Sequence, residues 1–482
     1  MNTVRLCMIG ASASLTLLGG CAVGPDFKSP HPRTDDRYTE APLQTQIGPT
    51  SAADAQRLVI GAAASPEWWR MFQSEEIDQI VQRALDGNRS LASATYSLAE
   101  AEELVRARTG YLYPQVDVTA GVGRQKLGSQ FLGTFPKPPP FTYYAIGARV
   151  SYSLDFTGGV ARSIEQQRAL SQFREHQLQA VRLAISGNAV MKTLEIASLN
   201  AQVATIESLL ERDRANLELV QAAFEAGSVS RLDVVSAQSQ LASDATTLAP
   251  LRQQLSAARH ALAVIVGATP ATSALQSFDL SKLTLPAEIP VAVPSELAHR
   301  RPDILSAEAQ LHAATAAVGV ATANLYPHID LTGSFGPQAV STGELFESAS
   351  NAWSIAGGLV APLFDGGRLR AEKRATLEAV KASAANYDQT VLEAFQQVAD
   401  AIDALNQGAD SLRAQTAAEA AARENVELTR ESYNAGQVGV LQVLDAERLY
   451  QQARLGFVRA QAQRYLDTAQ LLLALGGEQP SP

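Results

Sequence analysis

Among the 482 residues, the best-placed reactive group is the thiol of Cys21. It closes the run Leu18-Gly19-Gly20-Cys21, at the end of MNTVRLCMIGASASLTLLGGC. That stretch has Arg5, then an uncharged and fairly apolar run, then small residues, which is the order of a secretory signal peptide over residues 1–20. Its ending resembles a bacterial lipobox. The predicted chemistry is acylation: Cys21 takes a lipid and becomes the mature N-terminus. Plain signal cleavage beside a chance cysteine is the simpler alternative. Cys7 leaves with the signal, so with Cys21 blocked the mature chain keeps no free thiol. Disulfides, thiolate zinc sites and a cysteine nucleophile are thereby excluded.

The other candidate groups do not assemble into a catalyst. The six histidines show no HExxH or other metal spacing, and His299 and His328 read as surface polar residues. Gly366-Gly367-Arg368 opens a helix, a place that can bind phosphate, but no P-loop or dinucleotide pattern surrounds it. A corner turn is the better reading. Nothing pairs a nucleophile with a base. No enzyme activity, metal or cofactor is expected beyond the covalent lipid on Cys21. The net charge of −10 offers no basic face, so nucleic acid is not expected as a partner. The chain reads as a passive conduit.

The elements that must build such a conduit are written twice. FEAGSVSRLDVVSAQ (224–238) and YNAGQVGVLQVLDAE (433–447) share an Ala-Gly turn, with Gly227 and Gly436 209 positions apart. Leu112-Tyr113-Pro114 answers Leu325-Tyr326-Pro327, and Phe156-Thr157-Gly158-Gly159 answers Phe364-Asp365-Gly366-Gly367. One structural unit, strand-strand-helix-helix, is duplicated. Period-two alternation predicts strands at about 115–123 and 142–155, then at about 328–336 and 352–364. In the first, Val116, Val118, Ala120 and Val122 alternate with Asp117, Thr119 and Gly121.

Each unit then turns helical. Residues 160–226 and 368–435 hold no proline and one glycine each. At 1.5 Å per residue each stretch reaches about 100 Å, a length that suggests a coiled-coil array. Leu377, Val380, Ala384, Tyr387, Val391, Phe395, Val398, Ile402, Leu405, Ala409 and Leu412 follow steps of three and four, with one stutter at Tyr387–Phe395. Gly227 and Gly436 close the long helices in a left-handed conformation. Return helices are predicted over about 232–266, kinked at Pro250, and about 441–475.

No later segment offers the ~18 apolar residues of a membrane helix, so any crossing uses strands. Open sheet edges cannot face lipid, and known single-chain barrels start at about eight strands. Copies must therefore share one barrel, of eight strands in a dimer or twelve in a trimer; periodicity does not choose between them. A soluble sheet packed on helices would alternate in the same way.

Several motifs occur in order: CAVGPDF (21–27), Glu67-Trp68-Trp69 with Phe72, Arg301-Pro302-Asp303-Ile304 with Ala307-Glu308, and Phe364-Asp365-Gly366-Gly367-Arg368. Together they resemble the TolC family of outer-membrane channel proteins, specifically its lipoprotein branch, the NodT-like outer-membrane factors of RND efflux systems. The resemblance runs from Cys21 to about Leu475. It implies a mainly helical fold with a trimeric, 12-stranded outer-membrane β-barrel continued by a periplasmic α-helical coiled-coil tunnel. It implies a lipid-anchored outer-membrane location, with which Ala22 after the anchor is compatible. The partners implied are a second and third copy, a periplasmic adaptor (membrane fusion) protein and an inner-membrane RND transporter.

The division expected is a signal peptide (1–20), a lipidated segment and belt (21–73), a first repeat (74–267), a linker or belt (268–300), a second repeat (301–477) and a tail (478–482). The resemblance also carries a gate. Asp445, in Leu444-Asp445-Ala446, would form an acidic ring at the periplasmic mouth, with Leu441 one turn earlier as a hydrophobic constriction. The best-known member has a further aspartate where this chain has Gln442, so one acidic ring is expected here. Asp233 adds charge nearby. The tips Gly227, Ser228, Val229, Ser230 and Arg231, with Gly436, Gln437, Val438, Gly439 and Val440, are expected to meet the adaptor. Turn chemistry alone would explain the two glycines, and Asp445 read alone is a surface acid. The implied function is passive conduction of drugs or other small molecules out of the cell. The alternatives are the duct of a type I protein secretion system and a periplasmic coiled-coil scaffold without a pore.

Overall fold

The computed structural model describes residues 22–30, 37–40, 42–48, 55–62, 65–126, 139–273 and 276–476. Cys21 and the signal segment lie outside them. In chain order the elements are β1 (Gln46–Ile47), β2 (Gln56–Ile60), α1 (Glu75–Gly87), α2 (Arg89–Thr109), β3 (Gln115–Gln125), β4 (Phe141–Leu154), α3 (Gly159–Glu225) and α4 (Arg231–Ile265). There follow β5 (Glu288–Val291), α5 (Pro294–Arg300), α6 (Pro302–Ala323), β6 (His328–Ala339), β7 (Asn351–Val360), α7 (Arg368–Asn434) and α8 (Val440–Ala474). The chain forms two compact units.

The first unit comprises residues 22–30, 97–174 and 307–387. Its centre is a four-stranded antiparallel sheet ordered β3-β4-β6-β7, so the strands of the two repeats meet at β4 and β6. Duplicated corners launch the long helices. Asp155 accepts from the amides of Val160 and Ala161, and Asp365 from those of Gly367 and Leu369. Each carboxylate thus occupies its own helix N-terminus, which leaves Gly366-Gly367-Arg368 as a turn.

The second unit comprises residues 37–96, 175–306 and 388–476. Ser74 caps α1, and Ile77, Ile80, Val81 and Ala84 bury one face at helical spacing. Asn88 ends α1 and starts α2: its Oδ1 accepts from the amides of Ser90 and Leu91 while its Nδ2 donates to the Ile265 carbonyl. Trp68, Trp69 and Phe72 are buried, and the Trp69 indole donates to Asp78 at 3.0 Å. Of the α7 stripe, Val391, Val398, Ile402, Leu405, Ala409 and Leu412 are buried in this unit; in the first unit Tyr387 is buried and Leu377 is exposed. Helix α4 continues through Pro250. A small sheet, β1-β2-β5, with β2 and β5 parallel, lies in the stretches assigned above to a belt, for which no secondary structure was read from the sequence.

Candidate functional site: a two-faced sheet and two hairpin tips

Register decides what each face of the large sheet offers, because directly paired residues project to the same side. Val118, Ala148, Phe335 and Trp353 form one cross-sheet row, and Val116, Val150, Gly333 and Ile355 another. Leu154, Ile329 and Leu359 continue that face. The opposite face carries Asp117, Arg149, Ser334 and Ser354 in one row and Gln115, Ser151, Thr332 and Ala356 in another, with the Ser334 and Ser354 hydroxyls 2.8 Å apart. The apolar face is bare: Val118 is 78% and Ile355 82% exposed. Among the described residues β3 pairs only with β4 and β7 only with β6, so both outer edges keep unpaired backbone groups.

The two tips share one backbone solution. The Gly227 amide donates to Phe224 O and the Ser228 amide to Ala223 O; the Gly436 amide donates to Tyr433 O and the Gln437 amide to Ser432 O. These are paired Schellman closures, with Gly227 at φ 74° and Gly436 at φ 71°. The restarts differ. Ser230 and Asp233 form a capping box on α4, and those hydrogen bonds hold the Asp233 carboxyl below its usual range. Gly439 heads α8 without a side-chain cap. Asp233 is therefore engaged in its own turn, and the bonds that hold it there favour its charged form.

Most predicted tip residues are exposed, while Val229, Val438 and Val440 are half-buried. On α8, Val443, Ala446 and Glu447 are buried; Leu441 (42% exposed), Gln442 and Asp445 lie on the exposed side. Leu441 and Asp445 are four apart and share that side. Asp445 pairs with Arg448 at 2.7 Å across one turn. So exposed a pair adds within about 1 kcal/mol to stability and leaves the carboxylate available.

The sequence reading missed a buried acidic contact in the same unit. Asp213 on α3 is hydrogen-bonded to Asp244 on α4 and feels Glu447 on α8. Glu447 is buried and ion-paired with Arg430 on α7, and both Asp213 Oδ2 and Glu447 Oε2 are buried without a hydrogen-bond partner. Burial first, then the Asp244 charge, pushes the Asp213 carboxyl up from 3.8 to about 7. A carboxyl that holds its proton more tightly when folded stabilises the fold at low pH and loses that contribution as pH rises from about 4 to 7. Asp213→Asn is expected to flatten the pH dependence of the denaturation midpoint over that range and to raise the midpoint at pH 8. An unchanged pH profile contradicts the assignment.

No helix among the described residues is long and apolar enough to cross a membrane, and no group of three or more His, Cys, Asp or Glu there could hold a metal ion.

Comparison with known proteins follows the same lines. Residues 80–268 and 293–477 match the family described as outer membrane efflux protein. The chain is 30% identical over 476 residues to outer membrane protein OprJ of Pseudomonas aeruginosa, covering 97% of this chain and 95% of that one. It is 31% identical over 424 residues to pyoverdine export outer membrane protein OpmQ of Pseudomonas putida, covering 86% and 89%. The solved outer-membrane channel OprN is similar in fold, with a TM-score of 0.84 at 27% identity over 95% of this chain and 99% of that one.

Proposed function

Since the chain belongs to the outer membrane efflux protein family, we propose that this outer-membrane efflux component is the exit duct of a tripartite pump. Three copies would close one 12-stranded barrel, and their long helices would continue it as a periplasmic coiled-coil tunnel. The observation that carries this reading is the sheet with one bare apolar face, one polar face and two unpaired edges. Edges left open to hydrocarbon would strand several backbone groups at several kcal/mol each, so closure with sibling chains is the stable arrangement. The exposed start of the α7 stripe at Leu377 then meets a neighbouring copy.

The duct is passive. An inner-membrane RND transporter supplies the energy, and a periplasmic adaptor seats on the tips at Gly227–Arg231 and Gly436–Val440. Cys21 carries the lipid that adds a second hold on the membrane. Leu441 and Asp445 of each copy form the narrow periplasmic mouth, a hydrophobic ring beside a ring of three carboxylates, with Gln442 contributing no charge.

Purified protein in planar bilayers is expected to give discrete, cation-favouring conductance. Asp445→Ala should reduce that preference while leaving the channel open to passage, read as a shift in reversal potential under a salt gradient. An unchanged reversal potential removes Asp445 from the mouth; the absence of any conductance in the parent protein rejects the duct.

A further inference from the structure

Residues 22–30 have neither helix nor strand, the kind of terminal segment that ordinarily frays. Here they are bound along their length. The Val23 amide donates to the Thr157 carbonyl at 3.0 Å. Arg162, one turn into α3, donates through Nη2 to Asp26 at 2.6 Å and through Nε to the Val23 carbonyl at 3.3 Å. Its Nη1 donates to Glu165 at 2.7 Å, and Glu165 in turn meets His312 of α6 at 3.0 Å. Phe27 stacks on that imidazole, 4.3 Å between ring centroids and 12° from parallel. Ser29 donates to Glu308 of α6.

Shape complementarity adds to charge. Gly24 sits at φ 100°, and a Cβ there would fall 2.5 Å from the Gly319 Cα on α6. A Cβ on Gly158 would fall 2.5 Å from the Ala22 Cα. Two bare backbones therefore touch at the Gly24–Gly319 crossing. The Arg162 side chain is only 6% exposed although its partner Asp26 is 85% exposed. An almost fully covered guanidinium facing an exposed carboxylate is a receptor geometry: Arg162 is held within α3, and the N-terminal segment brings the anion. Asp26 thereby ties α3 of the first repeat to a segment that also rests on α6 of the second.

We propose that residues 22–30 are a docking strap whose receptor is Arg162 with the Gly319 notch, and that its role is to hold the N-terminal anchor point beside the strand-to-helix corner at Thr157–Gly158. This role rests on acylation at Cys21 as read above. Released, nine residues form a tether that reaches about 30 Å from its root; docked, Ala22 stays against Gly158. The lipid then enters the membrane next to the base of the sheet, and the anchor and the strands share one depth.

The test uses the full-length protein, labelled with palmitate in cells and digested with trypsin, following cleavage after Lys28. A protease needs an undocked segment, so cleavage reads strap opening. Loss of the charge on the exposed carboxylate is expected to speed cleavage a few-fold in Asp26→Asn, and loss of the covered guanidinium with its bonds to Asp26 and Val23 about tenfold or more in Arg162→Met. Because Arg162 is buried and its loss could disturb α3, Asp26→Asn, on an exposed side chain, is the deciding variant. Cleavage at the parent rate in Asp26→Asn overturns the strap. Faster cleavage that releases an unlabelled fragment leaves docking intact but overturns the anchoring role, together with acylation. Faster cleavage that releases a labelled fragment supports both.

Discussion

Ala120→Arg is expected to empty the outer-membrane fraction of this protein, while Thr119→Arg, on the adjacent residue, leaves it populated. The two positions differ only in the face they occupy. Ala120 lies on the side of Val116, Val118 and Val122 and pairs with Ile146; Thr119 lies on the side of Asp117 and pairs with Gly147. Strand β3 has 11 residues. At ~3.3 Å per residue and a tilt near 45°, such a strand covers about 25 Å of depth, the height of the apolar band of outer-membrane barrels. Ala120 is at its middle. An arginine facing lipid there costs about 2–4 kcal/mol per chain, a factor of roughly 30 to 900 in the inserted population, and each copy in an assembly incurs it. On the other face the same arginine meets water and the polar rows of Asp117, Arg149, Ser334 and Ser354 and of Gln115, Ser151 and Thr332. Membrane fractionation with a heat-modifiability assay separates the outcomes. Equal behaviour of the two variants would mean that the apolar face does not contact lipid.

How much of this was readable beforehand follows from the range over which each signal acts. The large-sheet strands and the two 67-residue helices were legible because period-two alternation and the absence of proline are local properties. The tips were legible because a left-handed closure selects glycine, at Gly227 and Gly436. Strand order was not. That β4 of one repeat lies beside β6 of the other is a pairing over a long sequence separation, and no alternation encodes it. The small sheet was hidden for a related reason. Its strands are two to five residues long, and Gln56, buried in β2, reads as a surface residue until its amide is seen donating to Pro286 and Thr468. Asp213, Asp244 and Glu447 are unremarkable surface acids in sequence; pairing of α3 with α4, and packing of α8 from the other hairpin, bring them together. Arg162 had one available signal. Asp26 lies within CAVGPDF, a stretch read only as a family landmark, and an acid in such a segment invites a search for its cation.

Arg301→Ala is expected to lower the unfolding free energy by about 2–3 kcal/mol, because it removes a buried guanidinium that three helices use at once and leaves the Ala474 carbonyl without its donor. Arg301 sits between α5 and α6. Its Nε and Nη2 take the Asp303 carboxylate at 3.0 and 2.7 Å, Nη2 also donates to Gln397 on α7 at 2.8 Å, and Nη1 donates to the Ala474 carbonyl at 2.8 Å. That carbonyl belongs to the last turn of α8, where helix geometry leaves acceptors without intrahelical donors and where a cation is favoured by the helix dipole. Gly476, at φ 83°, then turns the chain against the arginine stem: a Cβ there would stand 3.0 Å from Arg301 Cγ. The motif at 301–304 thus stitches the start of the second repeat to the end of its own return helix. A lysine carries the same charge but cannot hold a carboxylate side-on while reaching a carbonyl and an amide, so Arg301→Lys should recover only a minor part of the loss. Guanidinium denaturation gives the magnitude, and amide exchange over residues 471–476 gives the place: protection there should fall first. A lysine variant as stable as the parent would reduce Arg301 to a point charge and leave the end of α8 held by packing of Leu471, Leu472 and Leu475 alone.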